Sequence, residues 1–177
     1  MLILVGPSAS GKTEVANILI QKYGMKRMIT YTTRKIRSGE IDGVSYHFID
    51  KNEFLKMIDN DEFVESTIYN ENYYGTRKSD VSKEKIVILE PNGVNAFYNK
   101  MPKDVTIVFL KTSKLIREAR MHNRGDSNES IVERLANDDV TFQEKNIIHV
   151  DLTVVNENKT LEELALEIYN FYHSFNI

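Results

Sequence analysis

The sequence predicts an α/β protein in which a parallel sheet is covered by helices on both faces. Short runs of aliphatic and β-branched residues recur along the chain without polar alternation, as in strands that are buried on both faces. Amphipathic stretches lie between these runs. Because each pair of parallel strands needs a crossover connection, this alternation of strands and helices favours a parallel sheet.

The predicted elements occupy most of the chain. Strands are expected at residues 2–5, 86–89, 105–110 and 152–155. Helices are expected at residues 13–22, 80–85, 94–98, 113–123 and 161–175. Gly24 and Gly125 end two of these helices, and the last one begins with a capping box formed by Thr160 and Glu163, whose side chains satisfy unpaired backbone amides.

Two segments interrupt the alternation. Residues 32–77 are rich in Tyr, Thr, Glu and Arg and contain short alternating strands on either side of a turn at residues 70–72, which predicts a small antiparallel lobe inserted into the core. Residues 113–138 hold two polar helices and are expected to form a mobile lid. We predict one domain over residues 1–177, divided into the lobe at 32–77, the lid at 113–138 and a core at 1–31, 78–112 and 139–177.

Composition and charge exclude several classes of protein. The 177 residues are 41% hydrophobic and 28% charged, which are ordinary values for one compact domain. The formal net charge of −3 provides no basic field that would attract nucleic acid. Cysteine is absent, which excludes disulfide scaffolds and thiol catalysis. No apolar run is long enough to span a bilayer and the first residues lack a secretory signal. We therefore expect a cytoplasmic protein without membrane partners, either a monomer or a homodimer.

The segment after the first predicted strand matches the pattern G-x-x-x-x-G-K-[ST]. Its residues are Gly6, Pro7, Ser8, Ala9, Ser10, Gly11, Lys12 and Thr13. The glycines let successive backbone N–H groups point at phosphate oxygens, and the following helix adds its positive end. Lys12 is expected to reach the β- and γ-phosphates, and the Thr13 hydroxyl is expected to coordinate Mg²⁺. The segment predicts a site for a nucleoside triphosphate bound with Mg²⁺.

A second string begins at Thr32 and reads T-T-R-x-x-R-x-G-E-x-D-G-x-x-Y-x-F. Together with the phosphate loop and the Tyr-Tyr-Gly-Thr run at residues 73–76, it resembles the guanylate kinases, which transfer phosphate from ATP to GMP. The resemblance extends over nearly the whole chain, as far as Asn156. It implies a P-loop type of parallel sheet with an inserted GMP-binding lobe and a helical lid, and an ATP:GMP phosphotransferase activity, with GMP or dGMP as the acceptor.

The resemblance also implies the residues that bind the acceptor. They are Thr30, Arg34, Arg37, Tyr46, Glu65, Tyr74, Thr76 and Glu90. The chemistry of these residues agrees with this assignment, because Arg34 and Arg37 offer forked donors to one phosphate. Guanine presents two adjacent donors that a carboxylate such as Glu65 accepts together, whereas adenine presents an acceptor there. Thr76 is expected to donate to the guanine O6 atom.

A group of arginines follows in the predicted lid. Arg117, Arg120 and Arg124 lie at helical spacing, so they share one stripe of a helix. The resemblance assigns Arg120, Arg124 and Arg134 to closure over the transferred phosphate, where cations stabilise the developing charge. Taken singly, Arg117 is expected to be a solvated surface charge. The resemblance also places Asn156 at the adenine of ATP. The catalytic residues are therefore expected to be Lys12, Arg120, Arg124 and Arg134.

One position departs from the family pattern. After the strand at residues 86–89 the family usually has an acid that lies near the metal, and this chain has Ile88. Glu90 can replace the second acid of that pattern, which faces the guanine. Because Mg²⁺ keeps several waters and needs few protein ligands, Thr13 and substrate oxygens are expected to suffice.

Two alternatives stay open at this point. The first is a related kinase that acts on ribose 1,5-bisphosphate and shares the scaffold and the Tyr-Tyr-Gly turn. The presence of Ile88, Asn92 and Gly93 slightly favours this alternative. A non-catalytic protein-binding module of the guanylate-kinase type is the other, but such modules tend to have degraded phosphate loops. The intact Gly11-Lys12-Thr13 argues against the second alternative.

Overall fold

A computed structural model of the chain describes residues 1–69 and 71–175. Nine strands and six α-helices are present in these two ranges. In chain order they are β1 Leu2–Val5, α1 Lys12–Tyr23, β2 Lys26–Arg27, β3 Tyr31–Thr32, β4 His47–Phe48, α2 Lys51–Asp59, β5 Phe63–Tyr69, β6 Asn72–Arg77, β7 Lys85–Ile88, α3 Pro91–Lys100, β8 Thr106–Lys111, α4 Lys114–Arg124, α5 Asn128–Thr141, β9 Leu152–Val155 and α6 Leu161–Phe175.

The larger sheet is parallel throughout and has the strand order β2-β7-β1-β8-β9. Its central strand, β1, is buried over all four residues. In the register, Leu4 pairs with Ile88 of β7 and Val5 pairs with Phe109 of β8. The carboxyl ends of three adjacent strands therefore meet at one edge, where open α/β sheets usually bind ligands.

Helices cover both faces of this sheet, as the sequence predicts. Leu2 and Leu4 belong to one core cluster, which α1 and α6 complete. Ile3 and Val5 belong to the opposite cluster, which includes Val94 and Phe97 of α3. The alternation of side chains along β1 thus feeds two separate hydrophobic layers.

A second sheet of four strands has the order β4-β3-β6-β5. It is mixed, because β3 pairs in parallel with β4, while β6 is antiparallel to both β3 and β5. The helix α2 packs on it through Phe54, which stacks on Phe63 at a ring distance of 4.5 Å. A Cβ atom on Gly75 would lie 2.9 Å from the Phe63 ring, so this position accepts only glycine without repacking.

The structure differs from the predicted elements at two places, and a third prediction lies partly outside the described residues. The predicted helix at residues 80–85 is wrong, since a short 3₁₀ turn, Lys78–Asp80, leads into β7 there. The strand β2 was not predicted, because its two residues are exposed and polar and carry no apolar signal. The predicted turn at residues 70–72 includes residue 70, which lies outside the described residues. Within the described ranges, no helix is long and apolar enough to cross a membrane.

Candidate active site

The phosphate loop connects β1 to α1 at the carboxyl edge of the larger sheet. Gly6 and Gly11 have φ angles of 151° and 96°. A Cβ atom on Gly6 would lie 2.5 Å from the Leu110 carbonyl oxygen, and one on Gly11 would lie 2.4 Å from Nδ2 of Asn156. Both glycines are therefore required by backbone conformation and by close approach, as expected of a chain that curls around a phosphate.

Lys12 is the first residue of α1, and its side chain folds back over the loop. Its Nζ atom donates to the carbonyl oxygens of Gly6, at 2.6 Å, and Pro7, at 2.7 Å. Burial lowers the pKa of Lys12 to about 8, although the charges of Asp138 and Glu90 oppose this shift. The ammonium group is thus partly stripped of water and is held at the mouth of the loop, where an incoming phosphate can replace the two carbonyl groups.

Asn156 and Arg120 hold this loop from outside. The side-chain amide of Asn156 donates to the carbonyl oxygen of Ser10 at 2.8 Å. Arg120 donates to the carbonyl oxygen of Ala9 at 3.1 Å and to Oδ1 of Asn156 at 3.2 Å. Asn156 is 2% exposed, so its amide supports the loop in this structure. Its contact with adenine stays a prediction.

Arg117 and Asp138 form a buried pair beside the loop, and this corrects the prediction for Arg117. The Arg117 side chain is not a solvated surface charge, because the residue is 5% exposed and its Nη1 lies 2.8 Å from Oδ2 of Asp138. Asp138 in turn accepts a hydrogen bond from the backbone N–H of Ser8 at 2.9 Å. No local pattern distinguishes Asp138, since an acid beside Asp139 on a polar helix resembles any exposed residue.

The other two lid arginines converge on one carboxylate. Nε of Arg124 donates to Oδ1 of Asp126 at 3.1 Å, and Nη2 of Arg124 donates to Oδ2. Nη1 of Arg134 lies 3.8 Å from Oδ2 of Asp126. The structure therefore brings Arg124 and Arg134 together, whereas Arg120 lies against the loop.

A cavity of about 460 Å³ lies between the loop and the lid. Arg120, Arg124 and Asn156 share it with Ala9 and Gly11 of the loop. The first turn of α6 closes its other side. Arg134, the remaining arginine predicted to close over the phosphate, does not line this cavity. This cavity has the position expected for the nucleoside of a bound triphosphate.

A larger cavity of about 950 Å³ lies between the second sheet and the start of α3, and we call it the acceptor cavity. It brings together six of the eight residues predicted to bind the acceptor. Those six are Arg34, Arg37, Tyr46, Glu65, Tyr74 and Glu90. Leu89 lines this cavity, and its backbone N–H donates to the carbonyl oxygen of Leu4, just before the phosphate loop, at 3.1 Å, so the cavity lies next to that loop.

The cationic part of the acceptor cavity is organised by Glu40. Nη2 of Arg34 lies 2.6 Å from Oε1 of Glu40, and Oε2 of Glu40 accepts a hydrogen bond from the backbone N–H of Arg37 at 2.8 Å. The guanidinium carbon of Arg34 also lies 5.5 Å from the centre of the Tyr46 ring. These contacts hold both arginines in one turn, so that they face the same cavity.

Glu65 supplies the half-buried carboxylate of the acceptor cavity. The hydroxyl of Thr76 donates to Oε1 of Glu65 at 2.7 Å. Burial raises the pKa of Glu65, and this hydrogen bond and the charge of Lys100 reduce the rise. Thr76 is fully buried and lies behind Glu65 rather than in the lining. Its donation to a guanine O6 atom stays a prediction.

Thr30 and Ile88 lie in a small neighbouring cavity of about 220 Å³. Tyr46 lines both this cavity and the acceptor cavity, so the two adjoin. In the described ranges, no group of three or more acidic or histidine side chains could hold a metal ion. The exposed Thr13 at the start of α1 fits a hydrated Mg²⁺ that arrives on the triphosphate, because such an ion needs few protein ligands.

These features define a class of protein. A phosphate loop lies at the carboxyl edge of a parallel sheet, and an adjoining cavity offers two arginines and the half-buried carboxylate of Glu65. Such a pair of sites is suited to moving a phosphoryl group from a triphosphate to a phosphorylated small molecule. The chain is thus a P-loop phosphotransferase in its architecture.

Comparisons with known proteins identify the family. The sequence model of the guanylate kinase family matches residues 1–172. The guanylate kinase of Mycoplasma pneumoniae is 35% identical over 176 residues, which cover 93% of this chain and 73% of that protein. The guanylate kinase of Pseudoalteromonas translucida is 38% identical over 144 residues, which cover 77% of this chain and 70% of that protein. This chain belongs to the guanylate kinase family.

A solved structure supports the fold. The crystal structure of guanylate kinase from Anaplasma phagocytophilum superposes with a TM-score of 0.67 at 24% sequence identity. The superposition covers 98% of this chain and 84% of that one. The arrangement of a helix-covered parallel sheet with a second sheet is therefore shared with a solved member of the family.

Proposed function

We propose that this chain transfers the γ-phosphoryl group of MgATP to GMP and releases ADP and GDP. The observation that carries the proposal is the acceptor cavity, because Arg34 and Arg37 line it together with the half-buried carboxylate of Glu65. Two arginines suit the phosphate of a monophosphate, and a carboxylate suits the paired donors of guanine. Membership of the guanylate kinase family supports the same activity.

The donor side is proposed to act through positioning and charge. The loop amides and Lys12 bind the β- and γ-phosphates, and Arg120, Arg124 and Arg134 neutralise the charge that develops on the transferred group. The Thr13 hydroxyl would hold the Mg²⁺ that enters with ATP, and the ion would supply positive charge that stabilises the phosphates. No covalent intermediate is needed, because the GMP phosphate is already a nucleophile.

Binding of ATP changes the contacts of Lys12. In this structure its ammonium donates to the carbonyl oxygens of Gly6 and Pro7. A phosphate oxygen is a stronger partner than a neutral carbonyl, so the side chain turns towards the nucleotide. The same exchange applies to Arg124, whose present partner is the carboxylate of Asp126.

On the acceptor side, Arg34, Arg37, Tyr46 and Tyr74 are proposed to orient the GMP phosphate, with Thr30 reaching it from the adjoining cavity. Glu65 and Thr76 are proposed to read the base, and Glu90 to lie on its far side. A site that leaves buried polar groups unpaired can reject an analogue by about 10⁴-fold. We accordingly propose that residues 32–77 form the GMP-binding lobe and residues 113–138 the lid.

The decisive experiment is a coupled assay of ADP release with MgATP and a panel of acceptors. GMP should support turnover, whereas AMP, UMP, CMP and dTMP should support little. The rate with dGMP measures how much the 2′-hydroxyl of the ribose contributes. Ribose 1,5-bisphosphate tests the first alternative, which the curated relatives do not favour. Turnover with ribose 1,5-bisphosphate but not with GMP would overturn the proposal. Absence of turnover with every acceptor would favour a non-catalytic binding module.

A further inference from the structure

The tip of the phosphate loop, residues 8–10, is held from outside at three successive positions. The α5 helix holds Ser8 through Asp138, and α4 holds Ala9 through Arg120. The segment after β9 holds Ser10 through Asn156. Ala9 adopts a left-handed conformation with φ at 58°, which a non-glycine residue keeps only when its surroundings enforce it.

Asp138 makes the most buried charged contact of the three. The residue is 8% exposed. Its Oδ2 accepts hydrogen bonds from the Ser8 N–H at 2.9 Å and from Nη1 of Arg117 at 2.8 Å, and its Oδ1 accepts one from the Ser8 hydroxyl at 3.3 Å. One carboxylate thus links the loop to both lid helices. Because Arg117 is itself buried, its hydrogen bond fixes the orientation of the Asp138 carboxylate.

We propose that Asp138 is a positioning residue, which holds the tip of the phosphate loop in the geometry that binds ATP. The inference rests on the proposed binding of ATP at this loop. Without the carboxylate, the Ser8 N–H loses its partner and the neighbouring Ala9 is free to leave its left-handed conformation. The amides that follow Ala9 then no longer converge on one phosphate.

The position of Asp138 also connects the loop to the lid. Asp138 lies one helical turn after Arg134 on α5, so the contact with Ser8 fixes the distance between this arginine and the loop. Arg117 and Arg120 lie on the same stripe of α4 and contact the loop region through Asp138 and Ala9. A change in the angle of either lid helix therefore reaches the loop directly.

The test measures the binding of ATP and ADP to three variants by calorimetry, without an acceptor. Asp138→Asn removes the charge but keeps the size. Because one unpaired buried charge can destabilise the fold, a second variant, Arg117→Met with Asp138→Leu, removes both charges. The matched control is Asp139→Asn, one residue further along α5. Its carboxylate pairs with Lys114 at 2.6 Å and lies 3.8 Å from Nη2 of Arg117, so it shares the arginine with Asp138 but pairs with α4 rather than with the loop.

Both Asp138 variants should bind ATP and ADP about 10- to 100-fold more weakly, as expected for the loss of a hydrogen bond to a charged group. The control should change by less than about twofold. In turnover assays, KM for ATP should rise while KM for GMP stays near its original value. Equal losses for both substrates would mean a merely structural role and would overturn the inference.

Unchanged ATP affinity in the folded double variant would also overturn it. If the double variant does not fold, Asp138→Asn alone decides by the same criteria. The binding experiment does not depend on the identity of the acceptor. Weakened ATP binding in a protein that fails to phosphorylate GMP would support the role of Asp138 while rejecting the proposed acceptor.

Discussion

The phosphate loop and the acceptor cavity offer different kinds of group to a phosphate. The loop offers main-chain groups whose direction is fixed by glycine geometry and by buried contacts from Asn156 and Asp138. The acceptor cavity offers long side chains, Arg34 and Arg37, whose present partner is Glu40 in the same lobe. Its volume of about 950 Å³ also exceeds that of the cavity beside the loop.

This difference shows which site is built before its ligand arrives. Main-chain donors held by the fold lose little freedom when a phosphate binds, whereas arginine side chains must exchange one partner for another. The main-chain part of the donor site is therefore expected to be largely preorganised, although Lys12 and Arg124 exchange partners there. The acceptor site is expected to depend on rearrangement of its side chains around the ligand. Changes at the loop should accordingly have larger effects on turnover than changes in the lobe.

The largest effect is expected for Lys12→Met. The change removes the one side-chain cation of the loop, so kcat should fall by about 10³-fold or more while the fold is retained. Steady-state kinetics and circular dichroism measure the two properties. Lys22→Met is the matched control, because Lys22 lies on the same helix in an exposed pair with Glu162. Normal turnover in Lys12→Met would contradict the assignment of the phosphate loop.

The next largest effect is expected for Glu65→Gln. The amide cannot accept both guanine donors, so affinity for GMP should fall by about 10²-fold, while affinity for ATP should not change. Titration calorimetry with each nucleotide measures this, and Glu71→Gln, an exposed change on the same lobe, is the control. An equal loss for both nucleotides would refute the role of Glu65 in reading the base.

The same variant should be more stable than the original protein at neutral pH. Burial raises the pKa of Glu65 in the folded chain, so ionised Glu65 lowers the free energy of unfolding at pH values above that raised pKa. The difference in Tm between variant and original should therefore shrink as the pH falls through the raised pKa towards the unfolded value. A difference that is independent of pH would contradict this explanation.

A smaller effect is expected from raising the pH. Because the pKa of Lys12 is lowered to about 8, its ammonium group loses its proton as the pH rises through that region. Affinity for ATP should fall with the loss of this charge. Calorimetric titrations measure this change between pH 7 and pH 9, which lie roughly one pH unit on each side of the transition. Lys12→Met should show no such inflection.

The smallest effect is expected for Ile88→Asp. Ile88 ends β7 and is 36% exposed, so the structure has room for a carboxylate there, at the position where the family usually has its acid near the metal. The Mg²⁺ concentration that gives half-maximal activity should fall by about threefold. Ile88→Asn adds polarity without charge and should have less effect. If both variants resemble the original protein, the position has no role in metal binding.

Much of the fold follows from local patterns in the sequence. The apolar runs predict β1, β7, β8 and β9 to within about a residue or two at each end, and Gly24 and Gly125 mark the ends of α1 and α4. The wrong helix at residues 80–85 and the missed strand β2 share a cause. Both segments are short, polar and exposed, so their conformation depends on the strand beside them and not on their own side chains.

The site residues, like the elements, were predicted where a local pattern exists and missed where it does not. The spacing of the phosphate loop and of the string that starts at Thr32 predicts residues that the structure gathers around two adjoining cavities. The sequence did not predict the buried state of Arg117 or the contact of Asp138 with Ser8, which are separated by 130 residues along the chain. No local pattern reports a contact at that distance.

The sequence by itself determined most of the elements, the phosphate loop and the family, because each of these depends on residue types at fixed short spacing. Only the tertiary structure decided which charged side chains are buried and which groups they hold. Arg117 and Arg120 lie three positions apart on α4, yet one pairs with Asp138 and the other crosses the loop to Ala9. Their partners come from packing of distant segments, and the energy of a charge depends on those partners and on its exclusion from water.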